Sequence, residues 1–437
     1  MENTPHQETN PLERRLDLAV AIDALESATD ARLKRMGRSV KMAGFRPGKV
    51  PFAIVKQQYG AEIRHEVLID ALNEAFGKEV AGQKLNVAGA PRIEPRQSDN
   101  STHLAFSAVF EVYPEFTPGD LSSAEIERPT LEVAAADVDK TIEILRKQRV
   151  RYVTTERPAA QEDRVVIDFH GTREDGKPFP EGEAHDYSFL LGRGMLLPEF
   201  DAAVEGMQVG EEKTIDVTFP DDYHAQELAG AKTRFEIVLK EVAGPVLPEV
   251  DEEFAKALGI EDGDIAKMRA EIEENLRHEV KKRIDAKVKE QVLEALLRAN
   301  PIPVPNALVE REIQRLVDGA RENLEQRGLR ARDVPVRPEW FTDKARRRVT
   351  LGLIFAQVVE SEKLQARPEQ VKAMVEEAAR TYENPAEVVR WYYRDPERLE
   401  DIENLVAENN VVEWALAKTK VTERALSFDE LMGRNEA

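Results

Sequence analysis

The sequence predicts a multidomain α+β protein: an N-terminal α+β domain, a β-rich central domain and an elongated all-α C-terminal domain with helical arms. Residues 1–115 combine strand-like alternation with amphipathic helices, residues 158–247 contain short apolar runs between glycine turns, and residues 248–437 have helical periodicity. Its 437 residues are enough for about three domains.

The composition is that of a globular protein with a highly charged surface, since 41% of the residues are hydrophobic and 33% are charged. A formal charge of −21 argues against nucleic acid as the partner of the whole molecule. The sequence has no cysteine, which excludes thiolate chemistry and is typical of a reducing compartment. No apolar run reaches the ~20 residues that span a bilayer, and Asp17 and Asp23 interrupt the first one. We therefore expect a cytoplasmic protein with no signal peptide and no membrane partner.

The N-terminal domain is predicted from its periodicity. Apolar and polar residues alternate from Leu12 to Ile22, which indicates a strand with one buried face. A helix is expected over residues 23–43, with Asp23 as its cap, and a second over residues 61–81, ended by Gly82. Strands are expected near 84–97 and 102–115.

A basic loop separates these two helices. Its sequence, Gly44–Pro51, has two glycines that permit unusual backbone angles and two prolines that stiffen the chain, so Phe45, Arg46 and Lys49 are expected on a rigid tip. Residues 30–65 carry nine Lys and Arg against two acids, a net charge of +7. The residues alone fit either an ordinary turn beside a solvated helix or a tip that docks on a phosphate-rich or acidic surface.

A phosphate-binding P-loop is poorly supported at this position. Only three residues separate Gly44 from Gly48, where that motif needs four, and Val50 replaces the hydroxyl residue that would bind magnesium.

Residues 116–157 are predicted to be a linker, because Pro118, Gly119 and Pro129 interrupt structure before a short amphipathic helix. Strands follow at 165–169, 187–191, 214–219 and 235–242, with a hairpin turn at 174–177. Neither an HExxH nor a Gly-x-Ser-x-Gly motif is present, so we expect no metal and no cofactor. Aromatic residues recur at the turn edges of this domain; any one of them also fits an ordinary β-domain core.

From residue 248 the pattern is helical. Apolar residues recur every fourth position from Met268 to Leu296, so the apolar stripe drifts about 40° per step around the helix. Such a drift suits a long arm that touches different neighbours along its length or presents part of itself to a client, although core packing explains any single residue. A return helix from Asn306 to Gly328, a long helix over 338–365 and a last strand over 421–428 are also expected.

The octet Gly44–Pro51 resembles the Gly-Phe-Arg-x-Gly-x-x-Pro ribosome-docking signature of the bacterial trigger factor family. The resemblance implies contact with ribosomal protein and rRNA at the exit tunnel through Gly44, Phe45, Arg46, Gly48 and Lys49. Pro47 stands where the family often has lysine, and Lys49 partly replaces that charge.

Several segments of the central domain resemble FKBP-type prolyl isomerases: Asp168-Phe169-His170-Gly171, residues 174–179, 191–200 and 204–211, and Phe219-Pro220-Asp221-Asp222-Tyr223-His224. The resemblance implies a cofactor-free proline pocket, with the Tyr223 hydroxyl as hydrogen-bond donor to the substrate carbonyl. The implied pocket residues are Phe169, Phe179, Tyr187, Leu197, Phe200, Phe219, Tyr223 and Phe235. In this chain Phe200 stands where many relatives have Trp, Tyr187 replaces Phe, and Pro180 replaces an acid.

The order of these regions is similar to that of trigger factor over nearly the whole chain. The resemblance implies a ribosome-binding domain at 1–115, a linker at 116–157, an FKBP-type peptidyl-prolyl isomerase domain at 158–247 and a helical chaperone domain at 248–437. It implies a chaperone that holds nascent and unfolded polypeptides and isomerises X-Pro bonds, while the sequence leaves open whether the free protein forms a homodimer. Two alternatives stay open: a free cytosolic isomerase whose helical arms recruit substrates, and a non-enzymatic holdase.

Overall fold

The computed structural model describes residues 10–43, 45, 49–97, 102–173, 178–220, 229–330, 334–380, 382 and 384–433, without the side chains of 178–181. The chain divides into two compact units, each made of two segments. The first unit comprises Met1–Arg128 and Ala286–Arg424. The second comprises Pro129–Asp285 and Ala425–Ala437.

The chain begins with a three-stranded antiparallel sheet and two helices. The elements are β1 (Glu13–Ala21), α1 (Ile22–Met36), α2 (Phe52–Gln83), β2 (Val87–Arg96) and β3 (His103–Val112), with strand order β1-β3-β2. Both helices pack on one face of the sheet, where Leu18 of β1, Leu33 of α1 and Ile63 of α2 join one buried cluster. The predicted strands are confirmed, with ends one to three residues inside the expected ranges.

The two helices differ from the prediction at their ends. Helix α1 starts at Ile22, so Asp23 lies in its first turn rather than capping it, and the helix stops at Met36 instead of residue 43. Helix α2 starts nine residues early, at Phe52, because Val55 is buried in the same cluster as Ile63 and extends its apolar face. Gly82 does not end α2, since Lys84, in the left-handed conformation, forms the cap.

The central region is a five-stranded sheet preceded by a helix. Its elements, with the short strand before them, are β4 (Glu125–Thr130), α3 (Ala135–Gln148), β5 (Arg151–Thr154), β6 (Arg164–Arg173), β7 (Pro178–Leu190), α4 (Pro198–Val204), β8 (Glu212–Thr218) and β9 (Lys232–Val246). The strand order is β5-β9-β6-β7, and β8 also pairs with β9. Residues 151–154, predicted as linker, thus pair with residues 243–246 as an edge strand of this sheet.

The rest of the chain is mainly helical. Its elements are α5 (Glu252–Ala257), α6 (Ile265–Ala299), α7 (Asn306–Gln326), a short 3-10 helix (Pro338–Phe341), α8 (Thr342–Glu362), α9 (Pro368–Ala379), α10 (Pro385–Tyr393), α11 (Pro396–Lys418), β10 (Lys420–Ala425) and α12 (Phe428–Met432). The last strand is shorter than predicted, because Ser427 caps α12 through the backbone N–H of Glu430. Among the residues described here, no helix is long and apolar enough to cross a bilayer.

The drifting apolar stripe of α6 contacts different neighbours within the second unit, as predicted. Met268 packs with Val138 of α3 and Phe254 of α5. Three turns later, Val280 packs with Phe428 and Leu431 at the end of the chain. The stripe therefore contributes to two small clusters, which share the partly buried Leu276 of α6.

The end of α6 is tied to the linker within the first unit. The buried Asn300 side chain accepts a hydrogen bond from the backbone N–H of Gly119 at 2.7 Å and donates one to the carbonyl of Leu296 at 2.8 Å. The two backbones approach so closely that a Cβ at Gly119 would lie 2.1 Å from the carbonyl oxygen of Ala299. Only glycine fits at this crossing.

Candidate functional site

An aromatic cluster lies between the central sheet and α4. Phe169 of β6 is at its centre, with ring centroids 5.8 Å from Tyr187, 5.6 Å from Phe200 and 5.9 Å from Phe235, each edge-to-face. Phe200 and Phe235 are 4.9 Å apart, and Phe219 is 6.4 Å from Phe235. The structure thus brings together five of the rings that the FKBP resemblance implied.

The cluster is closed on one side and accessible on the other. Phe200, Phe219 and Phe235 are no more than 5% exposed, whereas Phe169, Tyr187 and Leu197 are only partly buried against them. The buried rings therefore belong to the domain core as well as to the pocket, and the partly buried side chains form its accessible surface. The side chain of Phe179 and the whole of Tyr223 lie outside the described residues.

The local sequence explains how the rings come together. Phe169 and Phe235 lie on neighbouring strands of the sheet, and Pro198 starts α4 at its first turn, which directs Phe200 inward. Gly171 provides the space for one ring, because a Cβ at that position would lie 2.6 Å from Cε1 of Phe235. The glycine in the segment 168–171 thus has a packing role.

The cluster also includes apolar residues that were not predicted as pocket residues, among them Phe189, Leu196 and Ile215. Phe189 is 2% exposed, and its ring centroid is 6.2 Å from that of Tyr187. Tyr187 and Phe189 are two positions apart and therefore lie on the same face of β7, so the period-2 pattern could have identified this contact.

An ion pair that the sequence did not reveal stabilises the start of the domain. The Arg157 guanidinium donates two hydrogen bonds of 2.7 Å to the carboxylate of Asp163, whose side chain is fully buried. The backbone N–H of Ala160 donates a third bond to the same carboxylate. The hydrogen bond to Asp163 raises the pKa of Arg157, and the buried charge is paired and satisfied, as burial requires.

A charged cluster lies beside Phe169, on the same sheet. The backbone N–H of Asp186 donates to Oδ1 of Asp168 at 2.7 Å, while Nζ of Lys240 and Nδ1 of His185 each lie 3.5 Å from Oδ2. The Asp186 N–H bond is the main cause of the lowered pKa of Asp168. Lys240 also pairs with the Asp186 carboxylate, which raises the pKa of the ammonium.

We expect Asp168→Asn to reduce the acid sensitivity of folding. Because the folded-state pKa of Asp168 is lowered, its carboxylate stabilises the fold above the unfolded pKa of about 3.9, and this stabilisation is lost as the pH falls through the folded value. The substituted amide would keep an oxygen acceptor without the charge. Urea unfolding midpoints should show a larger gap between wild type and variant at pH 7 than at pH 3, because the stabilisation decreases as the pH falls through the folded pKa. An equal gap at both values would contradict this assignment.

An apolar cage of this kind suits rotation about a proline peptide bond. Amide resonance sets a rotational barrier of roughly 18–20 kcal/mol, and the twisted amide loses that resonance. Rings that enclose the proline and favour the twisted form lower the barrier without a proton transfer or a covalent intermediate. Each ~1.4 kcal/mol of preferential binding to the twisted form gives about tenfold in rate.

A second candidate site lies at the basic loop of the first unit. Phe45 is 39% exposed, its N–H donates to the Met42 carbonyl at 3.2 Å, and Lys49 is exposed. Gly44, Arg46, Pro47 and Gly48 lie outside the described residues.

The charge around this loop is only partly neutralised. Arg32 pairs with Glu66 and Asp70, and Lys56 pairs with Asp30. Six exposed cations have no carboxylate partner in the described part of the chain: Lys34, Arg35, Arg38, Lys41, Lys49 and Arg64. The predicted positive surface is therefore present on α1, α2 and the segment between them.

Comparison with known proteins gives consistent matches along the chain. Residues 1–145 match the family described as bacterial trigger factor protein, residues 155–240 match FKBP-type peptidyl-prolyl cis-trans isomerase, and residues 264–417 match the trigger factor C-terminus. Trigger factor of Dechloromonas aromatica (strain RCB) is 62% identical over 436 residues, 100% of both chains. Trigger factor of Aromatoleum aromaticum (strain DSM 19018 / LMG 30748 / EbN1) is 54% identical over 98% of this chain and 99% of its own. A solved structure described as "Promiscuous Substrate Recognition in Folding and Assembly Activities of the Trigger Factor Chaperone" covers 94% of this chain and 98% of its own, with 19% identity and a TM-score of 0.45.

Proposed function

The chain belongs to the bacterial trigger factor family, and from this premise we propose which of its residues carry out each activity. It is a ribosome-associated chaperone with an FKBP-type prolyl isomerase domain. We propose a ribosome-docking domain at residues 1–115, a linker at 116–157, an isomerase domain at 158–247 and a client-holding domain at 248–437. Its clients are nascent and unfolded polypeptides, and we place its activity in the cytosol. Self-association of the free protein stays a prediction.

The isomerase site is proposed at the aromatic cluster. The observation that supports this is the central position of Phe169, a partly buried ring in edge-to-face contact with three others. Phe200, Phe219 and Phe235 would form the floor, and Tyr187 and Leu197 would line the accessible side with Phe169. Phe179 and Tyr223 complete the proposed set on the resemblance to FKBP-type enzymes.

The ribosome-docking site is proposed at the basic loop, through Gly44, Phe45, Arg46, Gly48 and Lys49. An exposed aromatic ring supports this, together with cations that have no carboxylate partner in the described ranges, because the ring supplies contact area and the cations attract an anionic surface. We assign the contact to both ribosomal protein and rRNA on the basis of the same positive surface.

Co-sedimentation with vacant ribosomes over a salt series tests the docking proposal. Phe45→Ala/Arg46→Ala should abolish binding, and wild-type binding should weaken as salt rises. A matched control is Arg337→Ala/Trp340→Ala, which removes another exposed aromatic ring with its neighbouring arginine from the first unit. Equal binding by wild type and the first variant would overturn the proposal.

A further inference from the structure

Phe52 is an exposed aromatic residue that the docking motif does not include. It is the first residue of α2, follows Pro51, and has 36% of its surface exposed. Its ring does not join the apolar cluster between the helices and the sheet, although its neighbours Val50 and Val55 do. Core packing therefore leaves more than a third of this aromatic residue's surface exposed to solvent.

Two lysines from different helices lie over this ring. Nζ of Lys34, on α1, is 5.7 Å from the ring centroid, and Nζ of Lys56, on α2, is 6.0 Å away. Lys56 also pairs with Asp30 at 2.7 Å, whereas Lys34 has no acidic partner among the described residues. The result is an exposed aromatic ring beside a cation with no acidic partner, within a surface where five further cations are unpaired among the residues that the structure describes.

We infer that Phe52, with Lys34 and Lys56, is a second docking contact, which stacks on an unpaired base of ribosomal RNA while the lysines contact its phosphates. This inference rests on the proposed docking function and adds residues outside the Gly44–Pro51 loop. Single-stranded nucleic acid is held by this combination, because every base has a face that stacks on an aromatic ring and cations follow the backbone. An acidic protein surface would use the cations and take the ring only as apolar contact area, without stacking on its face.

Substitutions at Phe52 separate stacking from simple apolar contact. Phe52→Leu should weaken ribosome binding about tenfold, within the range for losing one stacked base, while Phe52→Trp should retain wild-type affinity. Lys34→Gln should reduce the slope of log affinity against log salt by about 0.7–0.9. Ile69→Ala, at a 44% exposed apolar position of the same helix, should leave affinity unchanged. Equal melting temperatures of the variants would show that the fold is intact.

A photoreactive benzophenone side chain introduced in place of Phe52 identifies the partner directly. Cross-linking to ribosomal RNA supports the inference, and cross-linking to ribosomal protein alone overturns it. If Phe45→Ala/Arg46→Ala loses binding but Phe52→Leu binds like wild type, this inference fails and the docking proposal stands. If the Phe45 and Arg46 variant also binds like wild type, both fail.

Discussion

Phe169→Leu is expected to lower prolyl isomerase activity about 100-fold without affecting the holding of unfolded chains. Leucine lacks the edge-to-face contacts that Phe169 makes with Tyr187, Phe200 and Phe235, and it leaves the accessible side of the cage incomplete. A 100-fold loss corresponds to about 2.7 kcal/mol of transition-state stabilisation. The measurements are kcat/KM on a proline tetrapeptide and suppression of aggregation of an unfolded protein.

Phe189→Leu is the matched control, because it makes the same side-chain change in the same cluster. Phe189 is 2% exposed and lies behind Tyr187, so its replacement should cost stability, about 1 kcal/mol, but leave turnover near wild type. Comparable activity losses in both variants would mean that Phe169 acts through stability alone.

Gly119→Ala is expected to destabilise the first unit by about 2–3 kcal/mol. The added Cβ would meet the backbone carbonyl of Ala299, which cannot rotate away as a side chain could. Relief of the clash would also separate Gly119 from Asn300 and leave a buried amide without its partner. Thermal or urea unfolding of the full chain, followed by a probe in the first unit, measures the effect.

Gly77→Ala is the corresponding control in the same unit. Gly77 lies inside α2 with no atom within 4 Å of an added Cβ, so alanine should stabilise the helix by about 0.5–1 kcal/mol. If Gly119→Ala has the same unfolding midpoint as wild type, the linker does not cross α6 as closely as described.

Periodicity predicts the order and type of the longer elements but not their ends, and it misses the short strands β4 and β5. It predicts helix α2 over 61–81, whereas the helix begins at Phe52, because Val55 is buried in the same cluster as Ile63. It also extends the last strand into the short α12, although Ser427 and Glu430 have the spacing of a capping box. Only tertiary information could have prevented the first error, whereas the local sequence already contained the signal that would have prevented the second.

The pocket residues are predicted by resemblance and not by periodicity. An aromatic residue in a strand gives the same alternating sequence pattern whether it lines a pocket or a core. The structure shows that Phe200 and Phe235 are part of the buried core as well as of the aromatic cluster. Contacts between distant residues had no local signal at all. Lys34 and Phe52 are 18 positions apart and belong to two helices, so only the packing of α1 on α2 brings them together.

The pairing of β5 with β9 determines where an autonomous isomerase fragment can begin. A fragment starting at residue 158 would lack Arg157 and leave the carboxylate of Asp163 buried without its counterion. It would also lack β5, so residues 243–246 would become an open sheet edge available to other chains. A fragment starting at residue 150 keeps both, and we expect it to be the more soluble when expressed alone.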